Sequence, residues 1–270
     1  MGTQICETCR YWKMSPKTTA VMVCTEGINH LDFREVAQCV NHKQKGDKMT
    51  VELLSATDLW VAARGIRKCW ASEGKSDTYV CDKGTCVEQV LVGKNDKALI
   101  HRIGNKNKHA STLEHLNYSF DIDGITRACL QEVVRHRHAS ISVKSTRYTL
   151  KELKGEQPFL PDEEDNYDRA SEYVVFTDNA DVNYHIIAAL DGIRKLVASG
   201  IANDVSKYAL PESFKTSFVW TINARSLQNF LALRTNKAAL QEIRELAYEI
   251  YSNLPEDHKY LFTEFLYEEE

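Results

Sequence analysis

The stretch Arg135-His136-Arg137-His138-Ala139-Ser140-Ile141-Ser142-Val143-Lys144-Ser145-Thr146-Arg147-Tyr148 decides how this chain is read. It gathers six basic or imidazole side chains and three serines where a helix ends and a turn begins. An ordinary basic helix end complements the macrodipole and needs no ligand. Here Arg135, Arg137 and Arg147 alternate with hydroxyls, and the guanidinium fork grips phosphate bidentately. The pattern suits a ligand with more than one anionic group, a nucleotide being the obvious class. Ile125 to Arg137 reads as the helix that delivers the stretch. Before it, Leu116, Tyr118, Phe120 and Ile122 alternate with polar residues as a half-buried strand, which Asp123-Gly124 is expected to break.

Working outward, Val51 to Ser55 reads as a strand and Thr57 as the cap of a helix with Leu59, Ala63, Ile66 and Trp70 on one face. A polar stretch, Glu73 to Asp82, precedes a second helical segment from Val87 to Ile103, ending in the basic run Gly104 to Lys108, read as a solvated loop. Gln157 to Asp168 reads as a surface loop and Tyr173 to Phe176 as a short strand. Tyr184 to Ile201 is amphipathic through Ile187, Leu190, Ile193, Leu196 and Val197. Phe218 to Ile222 is a strand, and Ser226 caps one long helix to Tyr251 with Leu227, Phe230, Leu231, Leu240, Ile243, Leu246 and Ile250 on its apolar face.

Composition narrows the function classes. With 270 residues and 43% hydrophobic content the chain can bury a core, which excludes disorder and fibrous repeats. Lys+Arg 34 against Asp+Glu 38 gives a formal charge of -4, so any anion site is local. No run approaches the roughly 20 apolar residues of a membrane helix. Met1 to Cys9 lacks signal-peptide order, and Gly2 is followed by Cys6 where myristoylation wants Ser or Thr. The expectation is a soluble cytoplasmic protein with no membrane partner.

The eight cysteines are unevenly spread. Cys6, Cys9, Cys24 and Cys39 fall in residues 1–48, a segment too short to bury much surface, and in a reducing compartment clustered thiols point to a metal. Four thiolates on one zinc ion would supply folding energy, with His30 or His42 as substitute ligands. Four small buried hydrophobes or an iron–sulfur cluster are the alternatives. Cys69, Cys81, Cys86 and Cys129 read as buried or incidental thiols, His101 and His185 as ordinary helix residues, and Glu268 to Glu270 as a solvated end. The expected division is 1–48, a zinc module, and 49–270, an α+β domain with a twisted antiparallel sheet and long helices.

Arg135, His136, Arg137, Ser140, Ser145, Arg147 and Tyr148 fit the pattern R-H-R-x-x-S, a second Ser, then R-Y. His109-Ala110-Ser111-Thr112-Leu113-Glu114-His115 fits H-x-[ST]-x-x-E-H. Trp220-Thr221-Ile222-Asn223-Ala224-Arg225-Ser226-Leu227-Gln228-Asn229-Phe230 fits W-T-x-N-A-R-S-x-x-N-F. In these ordered motifs the domain from Met49 onward resembles the flavin-dependent thymidylate synthases, the ThyX family. The resemblance implies methylation of dUMP to dTMP, with methylenetetrahydrofolate as carbon donor and NADPH reducing a bound FAD. It places His109, Ser111, Glu114, Arg135, His136, Arg137, His138, Asn223, Arg225 and Asn229 at FAD. Glu132, Arg135, Ser145, Thr146, Arg147, Lys207 and Arg234 would contact dUMP, with Arg234 and Ser145 as catalytic candidates, in sites shared between subunits of a homotetramer.

The chain departs from the commonest family pattern at several positions. Ser142 and Val143 replace Asn and Glu, Lys207 replaces Arg, Ala238 and Leu240 replace His and Gln, and Glu132 stands where Gln is usual. Arg234, placed mid-way along an apolar helix face, would be costly if buried unpaired. A ligand partner removes that cost, and snorkelling to solvent is the alternative. Glu132 beside a phosphate would need a donor or a raised pKa. Two other readings stand beside the enzyme. In one, a zinc-bearing nucleic-acid-binding protein uses Lys94, Lys97, Arg102, Lys106, Lys108 and the arginines as a basic face, against which the net charge and the lack of interleaved aromatics count. In the other, the flavin domain is a catalytically impaired scaffold.

Overall fold

A computed structural model describes residues 49–81, 89–161, 163 and 165–267. The proposed zinc ligands Cys6, Cys9, Cys24 and Cys39, with Cys86 and Glu268 to Glu270, lie outside the described residues.

The apolar residues after Met49 form strand β1 (Thr50–Ala56), and helix α1 (Leu59–Cys69) follows. Thr57 does not cap α1. Its Oγ1 accepts the backbone N–H of Asn117 at 3.2 Å, so it ties the start of the helix to the neighbouring strand. Leu59, Ala63 and Ile66 are buried as the periodicity requires, whereas Trp70 falls just past the helix and is 70% exposed. The expected Val87–Ile103 helix is divided. Residues Tyr79–Cys81 (β2) and Gln89–Leu91 (β3) pair as a small antiparallel ribbon, and helix α2 (Lys94–His101) starts only at Gly93. Asp77 caps it from outside, its carboxylate accepting the N–H groups of Asn95 (2.8 Å) and Asp96 (2.9 Å). The basic run beyond is not a loop, because Arg102–Lys106 continues α2 as a π-helical turn. In that turn Gly104 is buried against Leu113, too close to admit a Cβ.

Strand β4 (Asn117–Thr126) carries the alternation of Tyr118, Phe120 and Ile122, all fully buried, but Asp123-Gly124 does not end it. Gly124, at φ 79°, sits where the register shifts between Ile122 and Ile125. The strand therefore bulges and resumes. Thr126 then caps the short helix α3 (Arg127–Val133) by accepting from the Cys129 N–H at 3.0 Å. The stretch after α3 is likewise not a turn: Ala139–Val143 is an edge strand, β5. The short helix α4 (Thr146–Thr149) follows, and helix α5 (Asp165–Ala170) begins inside the stretch Gln157 to Asp168 read as a surface loop, in which Phe159 is buried. Helix α6 (Ala180–Ala198) buries Ile187, Leu190, Ile193 and Val197, and α7 (Asn203–Ser206) packs against α4. Val174 makes only an isolated bridge to Phe214 in place of the expected short strand.

Strand β6 (Lys215–Asn223) completes a sheet of order β1-β4-β6-β5, antiparallel at each described pairing. Asn223 rather than Ser226 caps the next helix, its Oδ1 accepting from the Ser226 N–H at 2.9 Å. The expected single long helix is two, α8 (Ala224–Arg234) and α9 (Gln241–Ser252). Between them Asn236 Oδ1 accepts the Ala238 N–H at 2.9 Å, a local bond that competes with helix continuation, and Leu240 is left exposed. One face of the sheet, with α1, α8 and α9, encloses the main core around Trp220, Phe120 and Phe230. A second cluster joins α6 to Leu150, Leu153, Phe159 and Phe214.

Candidate active site

Two strand ends aim the site. Strand β4 feeds α3, whose last turn and the residues after it carry Glu132, Arg135, His136, Arg137 and His138; β6 feeds α8, which carries Arg225, Asn229 and Arg234. Those residues, with Glu114 and Asn223, line a cavity of about 1030 Å³. Glu242 of α9 fixes the entry to α3 by accepting Thr126 N–H at 2.7 Å and Thr126 Oγ1–H at 2.5 Å. Burial pushes the Glu242 carboxyl above the usual carboxylate range, partly offset by those two bonds.

One wall of the cavity is a guanidinium held by three hydrogen bonds. Arg234 ends α8 instead of lying mid-face, and neither leaves itself unpaired nor snorkels. Its Nη1 donates to Glu132 Oε2 at 2.7 Å, Nη2 to the Glu132 carbonyl at 3.1 Å and Nε to His136 Nε2 at 3.0 Å. Glu132 thus has the donor it needs in Arg234. Acceptance at Nε2 requires that nitrogen to be unprotonated, so His136 is neutral with its proton on Nδ1. Burial, then the charges of Arg234 and Arg135, pull the His136 pKa down to about 4, against an opposing pull from Glu132. Its ring stands edge-on to Phe230 at 4.9 Å, and Phe230 stands edge-on to the buried Trp220 at 5.0 Å. An aromatic column therefore runs from the sheet core to the site and fixes the imidazole.

Elsewhere in the cavity Arg225 Nη1 pairs with Glu114 Oε1 at 2.7 Å. Both carboxylates of the lining are matched by an arginine, while Arg135 and Arg137 are exposed and make no ion pair among the described residues. The wall keeps a surplus of positive charge, which a dianionic ligand would neutralise.

The remaining predicted residues stand apart. His109 and Ser111 lie at the start of the 3-10 segment Ala110–His115. Ser145, Thr146 and Arg147 open α4, with Thr146 buried and the other two exposed, and Asn203 Nδ2 donates to the Arg147 carbonyl at 2.9 Å. Lys207 follows α7 directly. None of these six lines the cavity. Sequence reasoning missed Ser226, Ala232 and Leu233 on α8, and Asn236 and Ala239 in the connection to α9, as lining, although their closeness in sequence to Arg225 and Arg234 was a usable signal.

The model of the Thymidylate synthase complementing protein family matches residues 52–258. The chain belongs to that family. It is 53% identical over 214 residues to a flavin-dependent thymidylate synthase of Wolinella succinogenes, covering 79% of this chain and 97% of the relative. For the Helicobacter pylori flavin-dependent thymidylate synthase the values are 49% over 211 residues, 78% and 95%. The crystal structure of Thymidylate Synthase X from Helicobacter pylori with FAD and dUMP has a TM-score of 0.73 at 48% identity, covering 81% of this chain and 99% of that one. The family match begins at Glu52, so residues 1–51 lie outside it. Among the described residues no helix is long and apolar enough to cross a membrane, and no cluster of three or more His, Cys, Asp or Glu could hold a metal ion.

Proposed function

We propose that this flavin-dependent thymidylate synthase domain converts dUMP to dTMP in the cavity between α3 and α8, with FAD as bound cofactor and methylenetetrahydrofolate and NADPH as co-substrates. The observation that carries the reading is Arg234, fixed between Glu132 and His136 at the wall of a cavity with surplus arginine charge. The residues fit the cofactor: Arg135, Arg137 and Arg225 offer guanidinium forks to a pyrophosphate, and Asn223 and Asn229 offer amides to a flavin or adenine edge. Bound there, FAD supplies the hydride chemistry that protein side chains lack. Arg234 stabilises negative charge developing on the uracil ring, and because its guanidinium is already locked it does so without reorganising. Glu132 and His136 position Arg234 and spend their own polar atoms on it.

Ser145, Thr146, Arg147 and Lys207 are read as the dUMP-phosphate group of the site. Their separation from the cavity within one chain supports a homotetramer in which one subunit's α4–α7 face completes another's cavity. Val143 removes a carboxylate from the edge strand beside them, and Lys207 offers a point charge in place of a fork. Residues 1–48 are read as a separate module in which Cys6, Cys9, Cys24 and Cys39 hold zinc.

The test uses purified full-length protein. Flavin absorption bands that shift on addition of dUMP, together with dTMP formation from NADPH and the folate, support the reading. The Arg234→Ala variant is expected to stay yellow and to lose about 10²–10³-fold in kcat, the scale set by removing one preorganised donor. A colourless protein that takes up no FAD, or an Arg234→Ala variant making dTMP at the wild-type rate, overturns it.

A further inference from the structure

The basic residues around α2 have no part in that reaction, and some of them enclose a cavity of their own. A groove of about 500 Å³ lies between the end of α1 and α2 with its π-turn, walled by Arg67, Asn95, Leu99, His101, Arg102 and Lys106. Among the described residues no carboxylate lines it. It shares no lining residue with the cavity at Arg234.

Arg67 is the informative member. It is 8% exposed, and its Nε and Nη2 both donate to Asp96 Oδ1, at 2.7 and 2.5 Å. The other oxygen of the fully buried Asp96 accepts from Ser76 Oγ at 2.5 Å and Thr78 Oγ1 at 2.7 Å. The carboxylate is therefore saturated. It holds the guanidinium rigidly from behind, leaving Nη1 as the nitrogen with no acceptor among the described residues.

Arg102 and Lys106 stand at the two ends of the π-turn, exposed and without an ion-pair partner among the described residues. The acids nearest the groove pair with neither Arg102 nor Lys106. Asp257 pairs with Lys97 at 3.6 Å, and Glu264 accepts from Asn105 at 2.5 Å and lies 3.9 Å from His101. Asp96 neutralises Arg67 but leaves its Nη1 open, so the groove's unpaired charge is that of Arg102 and Lys106; these two cations repel each other, and an oxyanion between them removes the repulsion while accepting the free N–H groups. π-turns are rare and concentrate at functional sites.

We propose that this groove binds an oxyanion, the phosphate or carboxylate group of a small molecule, gripped by Arg67 from below and by Arg102 and Lys106 at the rim. Leu99 offers the rest of such a molecule an apolar wall. The π-turn also carries Ile103, whose carbonyl accepts the His109 N–H at 3.0 Å, so an occupant stiffens the segment that leads into the motif at His109.

The test compares the full-length wild type with an Arg102→Ala/Lys106→Ala variant, which removes two exposed side chains and leaves the buried Arg67–Asp96 pair intact. Calorimetric titration with inorganic pyrophosphate should show saturable binding to the wild type, weakened about tenfold or more in the variant. Steady-state kinetics, an arm that rests on the proposed function, then identify the source at unchanged kcat. A raised KM for NADPH with an unchanged KM for NADH assigns the anion to a nucleotide phosphate. A raised KM for a folate with several glutamates but not for one with a single glutamate assigns it to a carboxylate tail. Unaltered KM values with weakened pyrophosphate binding assign it to a free anion. Absence of saturable binding, or equal binding by both proteins, overturns the proposal whatever the kinetics show. A wild type that binds pyrophosphate but makes no dTMP would overturn only the proposed function.

Discussion

Acidification should release Arg234 through His136. A half-buried imidazole held at a pKa of about 4 stays neutral in the folded chain, while in the unfolded chain it takes up a proton near the ordinary value of 6.5. Because the folded pKa is depressed, the unfolded state binds more protons between those values, so stability falls as pH drops from about 6.5 towards 4 and is unaffected above that window. At pH 5 the full difference amounts to about 2 kcal/mol by linkage. His136 is only half-buried, and solvent screening reduces this to about 1 kcal/mol. For a domain of this size that is roughly 2–4 °C in Tm. The control is His136→Gln, whose amide oxygen can still accept from Arg234 Nε but does not titrate. Thermal unfolding of both proteins at pH 7.5 and pH 5 isolates the effect from every other carboxyl and imidazole. The wild type should be the more stable at pH 7.5, because it keeps the edge contact with Phe230, and its advantage should shrink by about 1 kcal/mol at pH 5. An advantage that is the same at both pH values would refute the argument that His136 is a forced neutral acceptor.

Two predictions concern the scaffold. Asp96→Asn removes the counter-charge of a guanidinium that is 8% exposed, and should cost about 3 kcal/mol, roughly 6–12 °C in Tm, measured by calorimetry at pH 7.5. Gly104→Ala would set a Cβ at 2.7–2.9 Å from three carbons of Leu113, and should destabilise by about 1–3 kcal/mol in urea unfolding without changing m.

The parts of the fold that were legible in the sequence were those whose side-chain period follows one environment. Tyr118, Phe120 and Ile122 alternate because a single face of β4 is buried, and α6 repeats because one stripe of it meets the second core cluster. Misreadings arose where a local signal has two physical outcomes. Asp-Gly ends strands and also makes bulges, and the pairings of Ile125 with Thr216 and Thr126 with Lys215 show that β4 resumes. The run from Ser226 to Tyr251 contains no glycine or proline, so nothing in its composition marks the break at Asn236, which comes from a side chain competing with the backbone. At the site, motif spacing named the residues and not their partners. Glu132 and His136 read as ligand contacts, yet Glu132 carries the counter-charge of Arg234 and His136 its acceptor, because α3 and α8 bring their C-terminal ends together.

That pairing gives the departures from the commonest family pattern a common sense. Val143 stands on the edge strand β5, 37% exposed and outside the cavity lining, where a carboxylate is usual; Glu132 stands inside the cavity, where an uncharged amide is usual. On the resemblance, the chain thus lacks a carboxylate at 143 and carries one at 132, where it pairs with Arg234. A Gln at 132 could accept one hydrogen bond from the guanidinium and would leave its charge uncompensated, whereas Glu132 forms an ion pair at 2.7 Å with side chains 15% and 34% exposed. The guanidinium is held more firmly and its field is partly cancelled. The burden of attracting an anionic ligand then falls on Arg135 and Arg137, the two cavity arginines that no carboxylate among the described residues neutralises. On the proposed function, Arg234 is the group that orients and the other two are the groups that attract, a division that follows from which cavity arginines are paired.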